Sequence, residues 1–282
     1  MPRSVKKNKL VTPFVKWVGG KRQLMKEIEK YIPSHFSRYY EPFVGGGAVL
    51  FHLQPKNAVI NDRNAELINL YRVIKSHPDE LIEDLKGHKN DEEYFYDTRL
   101  LDREKNTYSE LTDIQRASRI IYLNKTCYNG LFRVNNAGEF NAPFGRYKNP
   151  AIVNANTIKA VSHYLSKNNV QILNTDYKKS LANIRKDAFV YFDPPYDPVS
   201  DSANFTGYTK NGFSKRDQVK LKELCDKLHA KGVKFLLSNS STEFILDLYK
   251  DYNIIPVNAK RAINSKASGR GEVTEVLVRN YE

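Results

Sequence analysis

The stretch "VYFDPPYDP" (190–198) joins an apolar run to an acid, two prolines and a tyrosine. The run "AFVYF" (188–192) is rich in β-branched and aromatic residues, which predicts a short strand covered on both faces. Pro194 and Pro195 end that strand, because proline cannot donate to a strand ladder and fixes its own backbone. Residues 193–196 are therefore predicted to be stiff. Because ligands bind at the carboxyl ends of strands in α/β sheets, this segment is a candidate site. A plain strand-ending turn is the alternative.

The charge of the chain predicts a polyanionic partner. The chain has 282 residues, a formal net charge of +13 and a pI of about 9.5. It is 40% hydrophobic and 12% aromatic, so it can bury a core. Positive charge is clustered, since residues 1–22 contain Lys and Arg but no acid. This pattern favours nucleic acid over a membrane surface as the partner.

Cysteine and histidine usage bears on metals and on the compartment. The two cysteines, Cys127 and Cys225, form neither a disulfide framework nor a zinc pattern. The six histidines do not cluster with acids at ligand spacing, so no metal is predicted. No apolar run approaches membrane-spanning length, and no signal-peptide core precedes the first strand. We therefore expect a soluble, cytoplasmic protein.

Two blocks of alternating strands and helices flank a helical middle. In the first block, "RYYEPFVGGGAVLFHL" (38–53) predicts a strand, a glycine turn and a helix, and "AVIND" (58–62) predicts a second strand. The last two strands are joined by a short loop, which predicts an antiparallel pair at the sheet edge. The later strands are "VQILN", "AFVYF", "VKFLLS", "NIIPVN" and "EVTEVLVRN", and helices are predicted near 21–31, 154–167, 177–184, 214–231 and 242–249.

This alternation predicts an α/β protein with an insertion. Residues 1–63 and 151–282 are predicted to form one domain around a mostly parallel sheet. Residues 64–150 are predicted to form an inserted, mainly helical domain. Its helices reach to about residue 127, and a loop rich in Gly, Asn and Pro, with a predicted hairpin, completes it.

The glycine turn at residues 45–47 predicts close backbone approach to a ligand. It is not a dinucleotide fingerprint, which would need glycine at Leu50. The nearby "WVGGKRQ" is not a phosphate-binding loop, because Val15 and Arg22 stand where that loop needs glycine and Ser or Thr. Asp62 ends the next strand, where a carboxylate can accept hydrogen bonds from ribose hydroxyls. The pattern favours a nucleoside cofactor without a triphosphate over a plain glycine turn with a capping acid.

Taken together, these motifs resemble the amino methyltransferases that use S-adenosylmethionine. Their F-x-G-x-G and D-P-P-Y motifs match residues 43–47 and 193–196. The chain is similar, over nearly its whole length, to the Dam family of GATC-specific DNA adenine-N6 methyltransferases, which includes DpnII-type modification methylases. The similar stretches are "FVKWVGGKRQL", "EPFVGGGAVLF", "INDRNAELIN", "YNGLFRVNNAGEFNAPFGRYKNP", "FVYFDPPYDP" and "LLSNSS".

The resemblance implies a Rossmann-like methyltransferase sheet, with residues 64–150 as the target-recognition domain. It implies double-stranded DNA as substrate, base flipping, and S-adenosylmethionine as the cofactor. It also implies a cognate restriction endonuclease as a functional partner. No pattern in the sequence bears on the oligomeric state.

The resemblance also implies cofactor contacts. Trp17 and Lys21 would contact the cofactor through an indole face and a cation. Asp62 would hold the ribose, and Asp176 would contact the adenine amino group. A packed core aromatic is the alternative for Trp17, and a helix cap for Asp176. The implied cofactor residues are Trp17, Lys21, Phe43, Gly45, Gly47, Asp62, Asp176 and Asp193.

The implied catalytic residues are Asp193, Pro194 and Tyr196. Adenine N6 is a poor nucleophile because its lone pair is delocalised into the ring. The Asp193 carboxylate and the Pro194 carbonyl would accept hydrogen bonds from N6, and Tyr196 would stack on the flipped base.

The resemblance places DNA contacts in the inserted domain and at Lys16, which aligns with a residue that reads the first guanine. Arg133 would grip guanine O6 and N7. For Arg146 and Lys148, a solvated surface charge is the alternative. The remaining contacts are Tyr128, Asn129, Leu131 and Pro143 near base edges, and Asn141, Arg146, Tyr147 and Lys148 on phosphates.

Three other functions stay open. The acceptor could be another amino group, such as cytosine N4, RNA adenine or a protein amide. The enzyme could be an adenine methylase with a different target site. A catalytically silent DNA-binding homologue is a third alternative, against which the intact Gly45, Gly47, Asp62 and Asp193 argue.

Overall fold

The computed structural model describes residues 7–135, 137–199, 213–260 and 272–282. Within them, seven strands form one sheet in the order β3-β2-β1-β4-β5-β7-β6. Strands β1 to β5 are parallel, and β7 is antiparallel to both β5 and β6. The strands are β1 Tyr39–Glu41, β2 Asn57–Asn61, β3 Asn169–Leu173, β4 Phe189–Phe192, β5 Lys234–Ser240, β6 Asn253–Lys260 and β7 Glu272–Arg279.

Helices cover both faces of this sheet and build the middle of the chain. Their bounds are α1 Met25–Lys30, α2 Ala48–Leu53, α3 Ala65–Ser76, α4 Pro78–Lys86, α5 Glu92–Leu100, α6 Lys105–Glu110, α7 Asp113–Thr126, α8 Ala155–Lys167, α9 Lys215–Ala230 and α10 Glu243–Leu248.

Strand β4 is buried on both faces. Phe189 and Tyr191 lie in the core shared with α2, α3, α7 and α8. Val190 and Phe192 lie in the opposite core, with α9 and α10. Side chains alternate between the faces of a strand, so a strand covered on both sides reads as a continuous apolar run. The prediction for 188–192 is confirmed.

The direction of strand order reverses between β1 and β4. Strand β1 pairs in parallel with β2 on one side and with β4 on the other. The glycine turn follows β1, and residues 193–196 follow β4, so both segments leave the same edge of the sheet. Such a reversal opens a crevice at the carboxyl ends of the strands, where ligands bind in α/β proteins.

Most of the predicted elements are confirmed, including the antiparallel edge pair of β6 and β7. The predicted helix at 177–184 is wrong, because only a single 3-10 turn, Lys179–Leu181, forms there. Asp176 Oδ1 accepts from Lys178 N (2.9 Å), and Ser180 Oγ donates to Tyr177 O (2.7 Å). These local side-chain bonds compete with helical backbone bonds.

The helical middle is continuous with the core beneath the sheet. Helix α3 contacts α7 within the middle, and it also contacts α8 and β3. Leu67 and Tyr71 of α3 lie in the same hydrophobic cluster as Phe51 and Val161. The division into domains at 63/64 and 150/151 therefore stays a prediction. In the loop after α7, where a hairpin was predicted, Val134 and Phe140 form an antiparallel bridge, and a second antiparallel bridge joins Cys127 to Phe144.

No helix in the described ranges is long and apolar enough to cross a bilayer.

The turn before α2 depends on glycine at position 47, where φ is +71°. A Cβ there would lie 2.5 Å from Tyr71 Oη and 2.8 Å from Phe51 Cε2, both on buried side chains. We expect Gly47→Ala to lower the free energy of unfolding by about 1–3 kcal/mol more than Gly138→Ala does. Gly138 is the matched control, since its φ is +89° but a Cβ there would meet nothing within 4 Å. Urea denaturation measures both, and equal losses would contradict the packing argument.

Candidate active site

The glycine turn and Asp62 form one hydrogen-bonded unit. Asp62 Oδ2 accepts from Gly45 N (3.1 Å), and Asp62 Oδ1 accepts from Asn64 N (2.9 Å). Tyr71 Oη donates to Gly45 O (3.0 Å) from the other side. Burial raises the pKa of Asp62, and the backbone N–H groups oppose that rise. The structure thus brings Gly45, Gly47 and Asp62 together at the end of β1.

Asn61 joins three loops at this edge of the sheet, a role that the sequence did not predict. Its amide nitrogen donates to Pro42 O (3.0 Å) and Thr175 O (3.1 Å), and its amide oxygen accepts from Thr175 N (2.9 Å). The side chain is fully buried. These bonds fix the segments that carry Phe43 and Asp176 relative to Asp62.

An aromatic cluster lies beside these acids. The Phe43 ring is 5.1 Å from the Tyr177 ring and 5.9 Å, at 90°, from the Phe213 ring, measured between centroids. Tyr177 and Phe213 were not predicted as site residues. Asp176 caps its own turn, which agrees with a local capping role. Ring faces next to carboxylates can hold a purine nucleoside, because the rings stack on the base and the acids accept from hydroxyl or amino groups.

Trp17 is packed inside this region. Its indole is 7% exposed and stacks on Phe132, with centroids 4.4 Å apart and planes 18° apart. It borders the glycine turn, since a Cβ at Gly45 would lie 3.1 Å from Trp17 Cδ1. Contact between Trp17 and a cofactor stays a prediction.

Asp193 is held by a buried lysine. Lys21 Nζ lies 2.7 Å from Asp193 Oδ1 and donates to Gly19 O (2.6 Å). The same ammonium lies 4.7 Å from the centroid of the Tyr196 ring. Lys21 was predicted to contact the cofactor through its ammonium group, and here it joins the acid and the ring that follow β4.

Two buried carboxyl groups at this edge titrate differently. Burial raises the pKa of Asp193 to about 6, and Lys21 opposes that rise. Burial raises the pKa of Glu41 to about 8, although Tyr39 Oη donates to Glu41 Oε2 (2.8 Å). Near neutral pH, Asp193 is mainly ionised and Glu41 mainly protonated. Asp193 is thus the carboxylate available to accept a hydrogen bond from a ligand.

The hydroxyl group of Tyr196 is held by an acid on strand β7, two strands away from β4 in the sheet. Tyr196 Oη donates to Glu275 Oε2 (2.7 Å), and Glu275 lies on β7. The sequence did not predict Glu275, because its partner is remote along the chain.

Lys16 connects the N-terminal segment to the predicted DNA-contact loop. Lys16 Nζ donates to Asn129 O (2.6 Å). Asn124 Oδ1 accepts from Lys16 N (2.8 Å), and Asn124 Nδ2 donates to Lys16 O (2.8 Å) and to Gly130 O (2.9 Å). Asn124, on α7, was not predicted, and it holds the two segments together.

Arg133 and Asn141 bind each other across this loop. Arg133 Nε donates to Asn141 Oδ1 (2.7 Å), and Nη2 donates to Asn141 O (3.0 Å). Arg133 is exposed and Asn141 half-buried. The guanidinium is therefore oriented at the surface by a neutral partner that it can exchange for another acceptor.

The other predicted DNA contacts lie at the surface of the same loop. Tyr128 is 59% exposed and its N–H donates to Pro143 O (2.8 Å), while Leu131 is half-buried. Tyr147 and Lys148 are exposed, and Asn90 Nδ2 donates to Tyr147 O (2.8 Å). Arg146 is exposed and pairs with Glu92 at 3.2 Å.

The described residues contain no group of three or more His, Cys, Asp or Glu side chains that could hold a metal ion. The site consists of an acid, a proline carbonyl and an aromatic ring that follow β4, and of a glycine turn, aromatic rings and two acids that follow β1, β2 and β3. Such a site can position an amino group beside a bound nucleoside.

Comparison with known proteins agrees with this arrangement. Residues 17–263 match the family described as D12 class N6 adenine-specific DNA methyltransferase. The chain is 46% identical to the type II methyltransferase M1.LlaDCHI of Lactococcus lactis subsp. cremoris over 280 residues, which is 98% of each chain. It is 41% identical to the type II methyltransferase M.MjaIII of Methanocaldococcus jannaschii, covering 96% of this chain and 99% of that one. It is 38% identical to a DNA adenine methylase of Serratia marcescens, covering 97% and 98%.

The Lys21–Asp193 pair generates a prediction about titration. Because the ammonium favours the ionised acid, Lys21→Met should raise the pKa of Asp193 above its value of about 6. Carboxyl ¹³C NMR titration of Asp193 measures this shift. Lys30→Met is the matched control, because Lys30 is exposed and pairs with Glu27 on its own helix. An unchanged or lowered pKa of Asp193 in Lys21→Met would refute the electrostatic role of the lysine.

Proposed function

The chain belongs to the D12 class of N6 adenine-specific DNA methyltransferases, and we propose that it transfers a methyl group from S-adenosylmethionine to adenine N6 at GATC in double-stranded DNA. One observation carries the proposal. The pairing of β1 with β4 brings the glycine turn and Asp193 to the same edge of the sheet. In the proposed complex, the cofactor lies against the glycine turn and the amino group to be methylated lies against Asp193.

The residues of the glycine turn and of the aromatic cluster fit a nucleoside cofactor. Asp62 uses one lone pair of each oxygen on a backbone N–H, which leaves others for the two ribose hydroxyls. Phe43 and Tyr177 offer ring faces to the cofactor base, and Asp176 offers an acceptor to its amino group. When bound, S-adenosylmethionine supplies an electrophilic methyl group on a sulfonium sulfur.

Asp193 and Pro194 activate the acceptor. The Asp193 carboxylate and the Pro194 carbonyl accept hydrogen bonds from the two N–H groups of adenine N6, which draws the lone pair out of conjugation. That lone pair would accept the methyl group that the cofactor supplies, and the electron pair of the C–S bond would stay on sulfur. Asp193 would stabilise the positive charge on N6 until N6 loses a proton to solvent.

Lys21 must move when the base enters. Its ammonium already donates toward Asp193 and lies over the Tyr196 ring. These are the contacts that the amino group and the ring of adenine make in the proposed complex. Lys21 therefore preserves the acid in its ionised form in the absence of DNA and yields its place to the substrate.

Access to Asp193 requires base flipping in duplex DNA. The Asp193 carboxylate cannot reach N6 of an adenine that is stacked inside a DNA duplex. The nucleotide is therefore flipped out, and its base stacks on the Tyr196 ring. Glu275 holds the Tyr196 hydroxyl, which leaves the ring face as the stacking surface.

The proposal of GATC draws on relatives that are named DNA adenine methylases and on the loop geometry. Arg133 is exposed and bound only to a neutral amide group and a carbonyl in the structure described, so guanine O6 and N7 can replace both acceptors. Lys16, tied to Asn129, presents a second cation at the same surface.

We place the reaction in the cytoplasm, since Cys127 and Cys225 are both free and buried, as expected in a reducing compartment. A cognate restriction endonuclease is the proposed functional partner, because two relatives are type II methyltransferases.

The direct test treats unmethylated DNA with the protein and S-adenosylmethionine and maps N6-methyladenine by sequence context. We expect methylation at GATC by the wild type, and none by Asp193→Ala, whose affinity for the cofactor should stay within about tenfold. Asp187→Ala is the control, because Asp187 is exposed and precedes β4. N4-methylcytosine as the product, adenine methylation at another site, or cofactor binding without turnover would each replace this proposal. Turnover by Asp193→Ala would refute the mechanism.

Specificity tests the recognition loop. Arg133→Ala should lose about 1–3 kcal/mol of discrimination at one guanine, so methylation of sites altered there rises relative to GATC. Asn141→Ala, which removes the amide that orients Arg133, should relax the same base pair less strongly. Lys148→Ala should weaken all sites equally, because a phosphate contact carries no base information. A uniform loss in Arg133→Ala would reassign Arg133 to the DNA backbone.

A further inference from the structure

We infer that two buried side-chain amides, Gln218 on α9 and Asn239 on β5, position residues 193–197 for methyl transfer. This inference rests on the proposed function of that segment. Neither residue emerged from the sequence as a candidate, although Asn239 lies in the "LLSNSS" stretch.

The first contact is made by Gln218. Its side chain is fully buried, and Nε2 donates to Pro195 O (2.9 Å). Pro194 and Pro195 carry no N–H groups, so this part of the segment cannot form the backbone bonds that order an ordinary turn. A donor from another element therefore fixes the carbonyl of Pro195.

The second contact is made by Asn239, whose side chain is also fully buried. Its Oδ1 accepts from Asp197 N (3.1 Å) and from Ser240 N (2.9 Å). Its Nδ2 donates to Gln218 Oε1 (3.1 Å), which joins the two amides. Pro195 and Asp197, the residues on either side of Tyr196, are thus fixed by one connected pair.

The direction of these bonds is determined by the groups at the two ends. Pro195 O can only accept, and Asp197 N–H can only donate. Gln218 must therefore turn its nitrogen to Pro195, and Asn239 must turn its oxygen to Asp197. If either amide were rotated by 180°, two acceptors or two donors would face each other. The hydrogen bonds are therefore consistent with only one orientation of each amide.

Asp197 completes the attachment. Asp197 is buried, its backbone oxygen accepts from Ser240 Oγ (2.6 Å), and its Oδ2 accepts from Thr242 Oγ1 (2.7 Å). The segment after Asp193 is thereby tied to β5 and α9 rather than to its own neighbours. Among the described residues, the two amides contact Pro195 and Asp197 and not Asp193 or the Tyr196 ring, so both amides are positioning residues.

The test replaces Gln218 by a side chain of equal shape. At pH 8, Gln218→Glu sets a carboxylate oxygen against Pro195 O, and the shifted segment should lower kcat by about 10- to 10²-fold. The KM for DNA and the Kd for S-adenosylmethionine should stay nearly unchanged, because the amide acts on the reacting geometry. Burial raises the pKa of the new acid, and its protonated form regains an O–H donor. The ratio of variant to wild-type kcat should therefore rise as the pH falls from about 8 to about 6.

Two further variants keep the inference falsifiable. Gln171→Glu makes the same chemical change on exposed Gln171 of edge strand β3 and should keep a flat kcat ratio across pH. Asn239→Asp removes the Nδ2 donor and should show the same recovery at low pH, which decides the matter if Gln218→Glu does not fold. A kcat ratio near 1, a ratio that does not change with pH, or a parallel loss of cofactor affinity would overturn the positioning role. Absence of adenine methylation by the wild type would instead contradict the proposed function.

Discussion

The rest of the structure depends on the burial of β4 on both faces beside β1. Phe189 to Phe192 fill two cores at once, so the strand cannot shift in register without exposing a full set of apolar side chains. Because the register of this strand is fixed, Asp193 has one defined position at the carboxyl end of β4, next to the turn that follows β1. The stiff residues after it then keep the acid and the ring in place. The packing of the apolar core thus determines where Asp193 lies in the site.

The features that local sequence dictates were predictable, and those made by remote partners were not. The strands, the glycine turn and the acid-terminated β2 follow from composition and spacing over a few residues. Asn61 and Asn124 make most of their side-chain contacts with groups more than a hundred residues away along the chain, and Glu275 binds a group many tens of residues away. Nothing beside these residues in the sequence therefore indicates their roles. The wrong helix at 177–184 has a local cause, since side-chain bonds from Asp176 and Ser180 replace helical ones. A prediction from the pattern of apolar residues alone does not include this competition between side-chain and backbone hydrogen bonds.

The charge states of the buried carboxyl groups at the site could not be predicted from the sequence either. Lys21 and Asp193 are far apart in the chain, and their contact opposes the rise that burial causes in the pKa of Asp193. Glu41 lies in a run that reads as an ordinary strand end, yet burial keeps it mainly protonated. The predicted DNA contacts show the same limit, because the resemblance implied DNA contacts for Arg133 and Asn141 without showing that they bind each other.

The bridge made by Asn124 bears on how such enzymes acquire new target sites. Its amide binds the backbone of Lys16 and of Gly130, so the loop after α7 and the N-terminal segment form one mechanical unit. The contact that depends on the sequence of the N-terminal segment is the one from Lys16 Nζ to Asn129 O. A loop transplanted alone from a relative would keep this contact only beside a lysine at position 16. Under the proposed role of the loop in DNA recognition, exchange of specificity between relatives, by recombination or by engineering, should therefore transfer both segments together, although α1 to α7 separate them in the chain.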